Sequence, residues 1–273
     1  MALTAPTRAH PLYQERDPRR VREAIRRKEW RWETAGLVPG YTQANLVLLP
    51  KSDAFDFLLF CLRNPKPCPL LEVTDPGDPE PRRTAPGADL RTDVPRYRVF
   101  RDGEVMDEPY DISPYWRDDL VGFLLGCSFT FEHALQQAGI PVRGLEGDRP
   151  TFSAYTTTIP CTPAGRFRGR MVVTMRPMTP ADAIRAVQVT ARFPQAHGAP
   201  VHIGDPAAIG IADLGRPDFG SPVEVRPGEV PVFWACGITP QVVARESGVG
   251  FMITHYPGHM FITDLRDEEA ALS

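Results

Sequence analysis

The sequence predicts a mixed α/β (α+β) fold: a central mixed sheet carrying helices, with a smaller α+β lobe inserted into it. Three observations lead there. Beyond Arg192, short apolar runs of strand length alternate with short helical patterns as far as Asp264, the alternation of a sheet covered by helices. The chain has 273 residues, 42% of them hydrophobic and 24% charged, enough to bury one large core or two modest ones. Proline stands at 30 residues, and eight of these fall between Pro65 and Pro95, so that region is mostly loop. The main α/β domain is therefore assigned to residues 1–49 and 116–273, and the proline-rich lobe to 50–115.

The elements follow in order. A basic amphipathic helix is expected from about Asp17 to Trp30, with Pro18 in its first turn and Val21 and Ile25 inward. The run Gly36-Leu-Val-Pro-Gly40 breaks it. Ala44–Leu49 reads as a buried strand, and Ser52 or Asp53 then caps a helix through Asn64. Leu70–Val73 and Tyr97–Phe100 read as strands, so the proline-rich loop between them is expected to be ordered. Asp102-Gly103 marks the turn of a hairpin over Arg98–Met106. A long helix is expected from about Asp118 to Gln137, ended by Gly139 and Pro141; it could also be two helices meeting at Gly126-Cys-Ser128. Tyr155–Ile159 and Met171–Met175 read as strands joined by the loop Cys161–Arg170. Pro180 opens a helix to Arg192, and Asp267-Glu-Glu269 reads as a solvated tail.

Net charge is −3, which favours neither nucleic acid nor an anionic membrane as partner. The first 31 residues hold nine Arg or Lys against four acids, a pattern that suits a solvated helix face better than a nucleic-acid arm. No run approaches the ~20 apolar residues of a membrane span, and the opening Met1-Ala-Leu-Thr-Ala-Pro6 lacks the layout of a signal peptide. Five widely spaced cysteines without a Cys-x-x-Cys motif suit reduced thiols. A cytoplasmic location is expected.

The chemistry concentrates in three apolar strands that end in reactive side chains. These are His197-Gly-Ala-Pro-Val-His202-Ile-Gly-Asp205-Pro206, Phe233-Trp-Ala-Cys236-Gly-Ile-Thr239, and Met252–Asp264 with His255 and His259. Strands of this kind deliver polar groups to a sheet edge, where small-molecule sites form. There is also a short internal repeat. Leu124-Leu-Gly-Cys127-Ser-Phe-Thr130-Phe-Glu132 aligns without gaps on Phe233-Trp-Ala-Cys236-Gly-Ile-Thr239-Pro-Gln241. Thr239 reads as an N-cap with Pro240 at the first helical position. Each corner would offer a thiol and free backbone N–H groups for a carboxylate.

These segments carry a family resemblance. Gly40–Pro50, Arg63–Thr74, Pro86–Asp93, Leu125–Glu132, Ile159-Pro-Cys161 and the three C-terminal strands resemble the D-glutamate cyclase family of hydro-lyases, in order from about residue 20 to Asp267. The resemblance implies a bacterial protein with a mixed α/β fold of two interleaved lobes. It further implies an activity assigned by relation to a larger mitochondrial enzyme that turns D-glutamate into 5-oxo-D-proline and water. This chain is too short to hold that enzyme's extra domain. No residue role comes with the resemblance.

From the residues alone, His202 or His259 is the expected proton-transfer group, oriented by Asp205. One Cys-x-x-Thr corner (Cys127 with Thr130, or Cys236 with Thr239) would bind a carboxylate while the other serves as oxyanion hole. Gln43, Asn45, Arg166 and His255 are the further substrate-binding candidates. Arg166 with Arg168 and Arg170 could clamp a carboxylate; Gln43 and Asn45 either satisfy backbone groups or line the site. Each has a duller reading: Asp205 before Pro206 is a common N-cap, and alternate arginines suit a solvated face. No cofactor is expected, a divalent metal on His197, His202, His255 and His259 being the minority alternative. The expected partner is a small carboxylated substrate, and the expected assembly a homodimer. Rival functions are a cofactor-free racemase or epimerase using Cys127 and Cys236, a dehydratase acting on a hydroxy acid, and a non-catalytic carboxylate-binding module.

Overall fold

A computed structural model describes residues 5–148 and 150–271; residues 1–4, part of the N-terminal reading above, lie outside the described set. The chain opens with α1 (Pro18–Arg26), β1 (Tyr41–Pro50), α2 (Lys51–Arg63) and β2 (Leu70–Val73). After the proline-rich loop come the hairpin β3 (Tyr97–Arg101) and β4 (Glu104–Asp107), then β5 (Leu120–Gly126) and α3 (Phe129–Gln137). The second half holds β6 (Ser153–Pro160), β7 (Arg170–Met178), α4 (Pro180–Ala191), β8 (His202–Ile203) and β9 (Phe219–Gly220). It closes with β10 (Val230–Ala235), α5 (Thr239–Glu246), β11 (Phe251–His255) and β12 (Phe261–Arg266). The class is mixed α/β, as expected.

Two sheets carry the fold. The first runs β2-β5-β1-β11-β3-β4, with β12 beside the N-terminal half of β1. The second runs β8-β10-β7-β6-β9. The pairings of both are antiparallel. The segment 50–115 contributes β2, β3 and β4 to the first sheet and lays its proline-rich loop over one face. Leu90, Val94, Ala85 and Ile112 there cover Leu46, Leu48 and Ile253. Ion pairing anchors the loop, since the buried Asp93 accepts two 2.7 Å bonds from Arg26 of α1. On the opposite face α2 packs Phe57 and Phe60 against Val47, Leu49 and Phe123.

Several expectations are corrected. The helix expected over 118–137 is a strand followed by a nine-residue helix. Every residue of Leu120–Gly126 is buried, with Phe123 and Leu125 on one face and Leu124 on the other, so the run shows no periodicity to separate strand from helix. The first helix stops at Arg26, because Lys28 takes φ 63°. The cap of α2 is Pro50, with no side-chain bond, rather than Ser52 or Asp53. Asp267 opens a 3-10 turn and is buried instead of ending a solvated tail; its N–H bonds the Gly40 carbonyl at 3.1 Å. The Asp102-Gly103 turn is as expected, with φ 50° and 81°, the left-handed pair of a tight hairpin. No helix among the described residues is long and apolar enough to cross a membrane.

Candidate active site

The two halves of the sequence repeat have the same architecture: a strand, a cysteine, a helix. β5 lies in the first sheet, and α3 beyond Cys127 sends Phe131 and Leu135 into the core over the second sheet, beside Trp234 and Met178. β10 lies in the second sheet, and α5 beyond Cys236 sends Val243 and Ala244 into the core of the first. The chain thus crosses between the sheets at each cysteine. Both corners close in one way. Thr130 Oγ1 accepts the Gln43 N–H of β1 at 3.4 Å, and Thr239 Oγ1 accepts the Val172 N–H of β7 at 3.0 Å. Thr239 also donates to the Cys236 carbonyl at 2.7 Å. It is therefore the first helical residue, not the N-cap; the cap is Ile238.

The repeat extends to the arginine that each helix meets. Glu132 of α3 accepts from Arg176 of β7 at 3.0 Å and 2.5 Å. Gln241 of α5 accepts from Arg98 of β3 at 3.2 Å and donates to the His255 carbonyl at 2.9 Å. Each helix therefore ties the sheet it left to the sheet it covers. Arg176 is buried, and it also donates to Ser128 Oγ at 3.0 Å and Thr174 Oγ1 at 3.1 Å. Its guanidinium lies 5.1 Å from the Phe131 ring and 5.4 Å from the Trp234 ring. Burial raises the Glu132 carboxyl, and Arg176 opposes that rise.

Cys127 and Cys236 stand next to Gly126 and Gly237, and these two glycines meet at the Asn45 amide. Burial pushes both thiols up, Cys236 to about 11, while N–H groups of Phe129 and Ile238 at the two helix starts pull the other way. Both are therefore neutral thiols at neutral pH, able to give a proton. Asn45 closes the floor between them. Its amide donates to the Gly126 carbonyl at 2.7 Å, and a Cβ at Gly237 would overlap it. Only glycine fits beside that amide.

The other expected site residues are placed as follows. Gln43 donates to the carbonyls of Thr34 and Leu37. His255 is buried beside the Leu46 backbone, where burial lowers it to about 3. His259 is also buried, hydrogen-bonded to the Pro257 carbonyl at 2.9 Å and lowered to about 4. His202 sits on the short edge strand β8, its Nε2 at 2.7 Å from the Asp205 backbone carbonyl. The Asp205 carboxylate instead caps the next turn through Ala207 N–H; as a side chain that orients His202, Asp205 is corrected. Arg166 faces Asp53 at 3.6 Å on the surface. His197 bonds the Lys66 carbonyl, so the four imidazoles of the metal alternative lie on separate supports. Sequence reasoning passed over Arg176, although a charge inside the apolar run Met171–Met178 was a readable signal.

With this geometry in view, the comparisons with known proteins are direct. The family model for D-glutamate cyclase matches residues 121–264, from β5 through β12, which includes both cysteine corners. The chain belongs to the D-glutamate cyclase family. A relative in Geobacillus kaustophilus, named "Putative hydro-lyase", is 63% identical over 91% of this chain and 94% of its own. Relatives of the same description in Stutzerimonas stutzeri and Bacillus subtilis are 60% and 58% identical over 94% and 93% of this chain. By this membership the protein is an enzyme of the lyase class. Among solved structures, a nitrogen repressor-like protein of Methanococcus jannaschii aligns over 77% of this chain and 80% of its own, at 11% identity and a TM-score of 0.38.

Proposed function

We propose that this cyclase-family protein closes D-glutamate, or a related small acidic amino acid, to 5-oxo-D-proline with release of water. The observation that carries the reading is the meeting of two equivalent Cys-x-x-Thr corners between the sheets. Lactam closure is internally balanced: the nitrogen gives up two protons and the departing oxygen takes both as water. The enzyme's work is to fold the substrate so that amine and γ-carboxyl meet, to hold its charged oxygens, and to move protons. Backbone N–H groups at the starts of α3 and α5 suit the carboxylates. The neutral thiols of Cys127 and Cys236 suit proton delivery to the leaving oxygen. We propose no cofactor, a small carboxylated substrate as sole partner, a homodimer and a cytoplasmic location, with neither nucleic acid nor membrane engaged.

One observation favours a second reading. Two cysteines on equivalent corners, one of them ionised to the thiolate, are also the layout of a base and an acid on opposite faces of an α-carbon, as a cofactor-free racemase requires. Proton NMR with D-glutamate, and separately 5-oxo-D-proline, in deuterated buffer separates the two. Lactam without deuterium at the α-carbon supports the cyclase. Deuterium at that carbon without lactam supports the racemase. A spectrum unchanged with both compounds overturns both for this substrate.

A further inference from the structure

The helix α2 is apolar on two sides. Its inner face sends Phe57, Phe60 and Cys61 into the core of the first sheet. Its outer face carries Phe55, Leu58, Leu59 and Leu62, the i, i+3, i+4, i+7 spacing of one continuous stripe. Phe55 is 74% exposed and Leu62 64%, with Leu58 and Leu59 half-buried between them. A surface helix with no partner turns charged and polar residues outward. A single exposed leucine needs no explanation, but a continuous apolar stripe marks a contact surface.

The charges beside the stripe suit one occupant. Asp53 and Asp56 lie in the first half of α2, and Arg63 is its last residue. Asp56 and Arg63 are two turns apart and stand on the same flank of the stripe. Asp53 is paired with Arg166 at 3.6 Å. Asp56 rests against Gly165, and Arg63 spends one nitrogen on the Pro163 carbonyl at 2.6 Å; neither has an ion-pair partner among the described residues. When a second α2 is laid antiparallel on the first, about a two-fold axis between Leu58 and Leu59, each flank meets its own reversed copy. Phe55 then lies over the partner's Leu62, and Leu58 over the partner's Leu59. Asp56 comes within about two residues' rise, roughly 3 Å along the axis, of the partner's Arg63. The two helix dipoles also run in opposite directions. The stripe is complementary to itself, the condition of an isologous contact.

We propose that the outer face of α2 is the interface of a dimer, in which a second copy of this chain packs its own α2 antiparallel on the stripe Phe55, Leu58, Leu59 and Leu62. Four large apolar side chains from each copy leave water on pairing. The two Asp56–Arg63 pairs at the rim set the antiparallel direction. The core that Phe57 and Phe60 enter also holds Val243 and Ala244 of α5, so the interface backs one of the two cysteine corners. It does not depend on which reaction those corners perform.

The test is sedimentation velocity over a range of protein concentrations, with circular dichroism as the check on folding. The parent should sediment as a dimer. Phe55→Asp combined with Leu62→Asp, both at exposed positions, should keep the parent's spectrum and weaken the dimer by roughly a hundredfold or more. Asp56→Lys or Arg63→Glu alone should weaken it by roughly fivefold or more. The two together should restore it, because in the antiparallel contact the exchanged charges meet again. A parent that is monomeric at every concentration overturns the proposal, and its flotation with phosphatidylcholine vesicles would assign the stripe to a lipid surface instead. A dimer that persists unweakened in the Phe55→Asp, Leu62→Asp variant overturns it as well. If Asp56→Lys with Arg63→Glu recovers nothing that the single changes lose, the antiparallel contact is wrong.

Discussion

Arg176 joins the two sheets through one buried side chain. It sits in β7 of the second sheet and holds Glu132 and Ser128 of the segment arriving from the first. A buried ion pair is weak evidence for net stability, because desolvation offsets most of the attraction. Breaking one is another matter. Arg176→Met leaves Glu132 buried without a counter-charge, and the expected cost is about 3–5 kcal/mol, read as a drop in the urea midpoint. Arg176→Met combined with Glu132→Leu should recover most of that loss. A double variant as unstable as the single one would show that Arg176 is held for its other contacts. At this scale the sequence spoke unevenly. Cysteines in a repeated frame could be read, and so could their threonines. The meeting of the two corners could not, because Asn45, Gly126 and Gly237 come together from distant parts of the chain, and no local pattern spans such distances.

The unit that builds the junction is the strand–cysteine–helix corner, used twice. Each corner needs the incoming strand paired up to its last residue, as with Gly126 opposite Ala44 and Ala235 opposite Val173. Each also needs a threonine hydroxyl to take the N–H of the partner strand that the ladder leaves over. Between the corners Gly237 lies against the Asn45 amide. Gly237→Ala should therefore destabilise by about 1–3 kcal/mol through overpacking. In an Asn45→Ala background the same change should cost markedly less, since the side chain it strikes is gone. Additive effects in that cycle would place the strain elsewhere. The corner also explains what sequence reading got wrong. A seven-residue run buried on both faces gives no alternation, so β5 was joined to α3 as one helix. The gapless match to Phe233–Gln241, whose first half reads plainly as a strand, was the better guide.

Across the whole molecule, burial has shifted titratable groups in opposite directions. His197, His255 and His259 are lowered from 6.5 to about 4, 3 and 4. Below pH 6.5 the unfolded chain takes up protons that these folded histidines refuse, so their share of stability is lost as pH falls towards those values. Glu33 and Asp267 are raised from 4.5 and 3.8 to about 7. Their sign is reversed: the folded state keeps protons that the unfolded state has released, so stability is lost as pH rises towards 7. Between about pH 5 and 6.5 the three histidines act against Glu33, Asp267 and Glu132, whose carboxyl burial also raises, so the parent's melting temperature should change little there. In the double variant Glu33→Gln, Asp267→Asn two of the opposing carboxyls are gone. Its melting temperature should rise more steeply with pH over that window than that of the parent. Thermal melts of both proteins across that range decide the matter. A double-variant curve that does not rise from pH 5 to 6.5 would mean that the histidines titrate normally in the folded chain, and that their surroundings are far wetter than their burial implies.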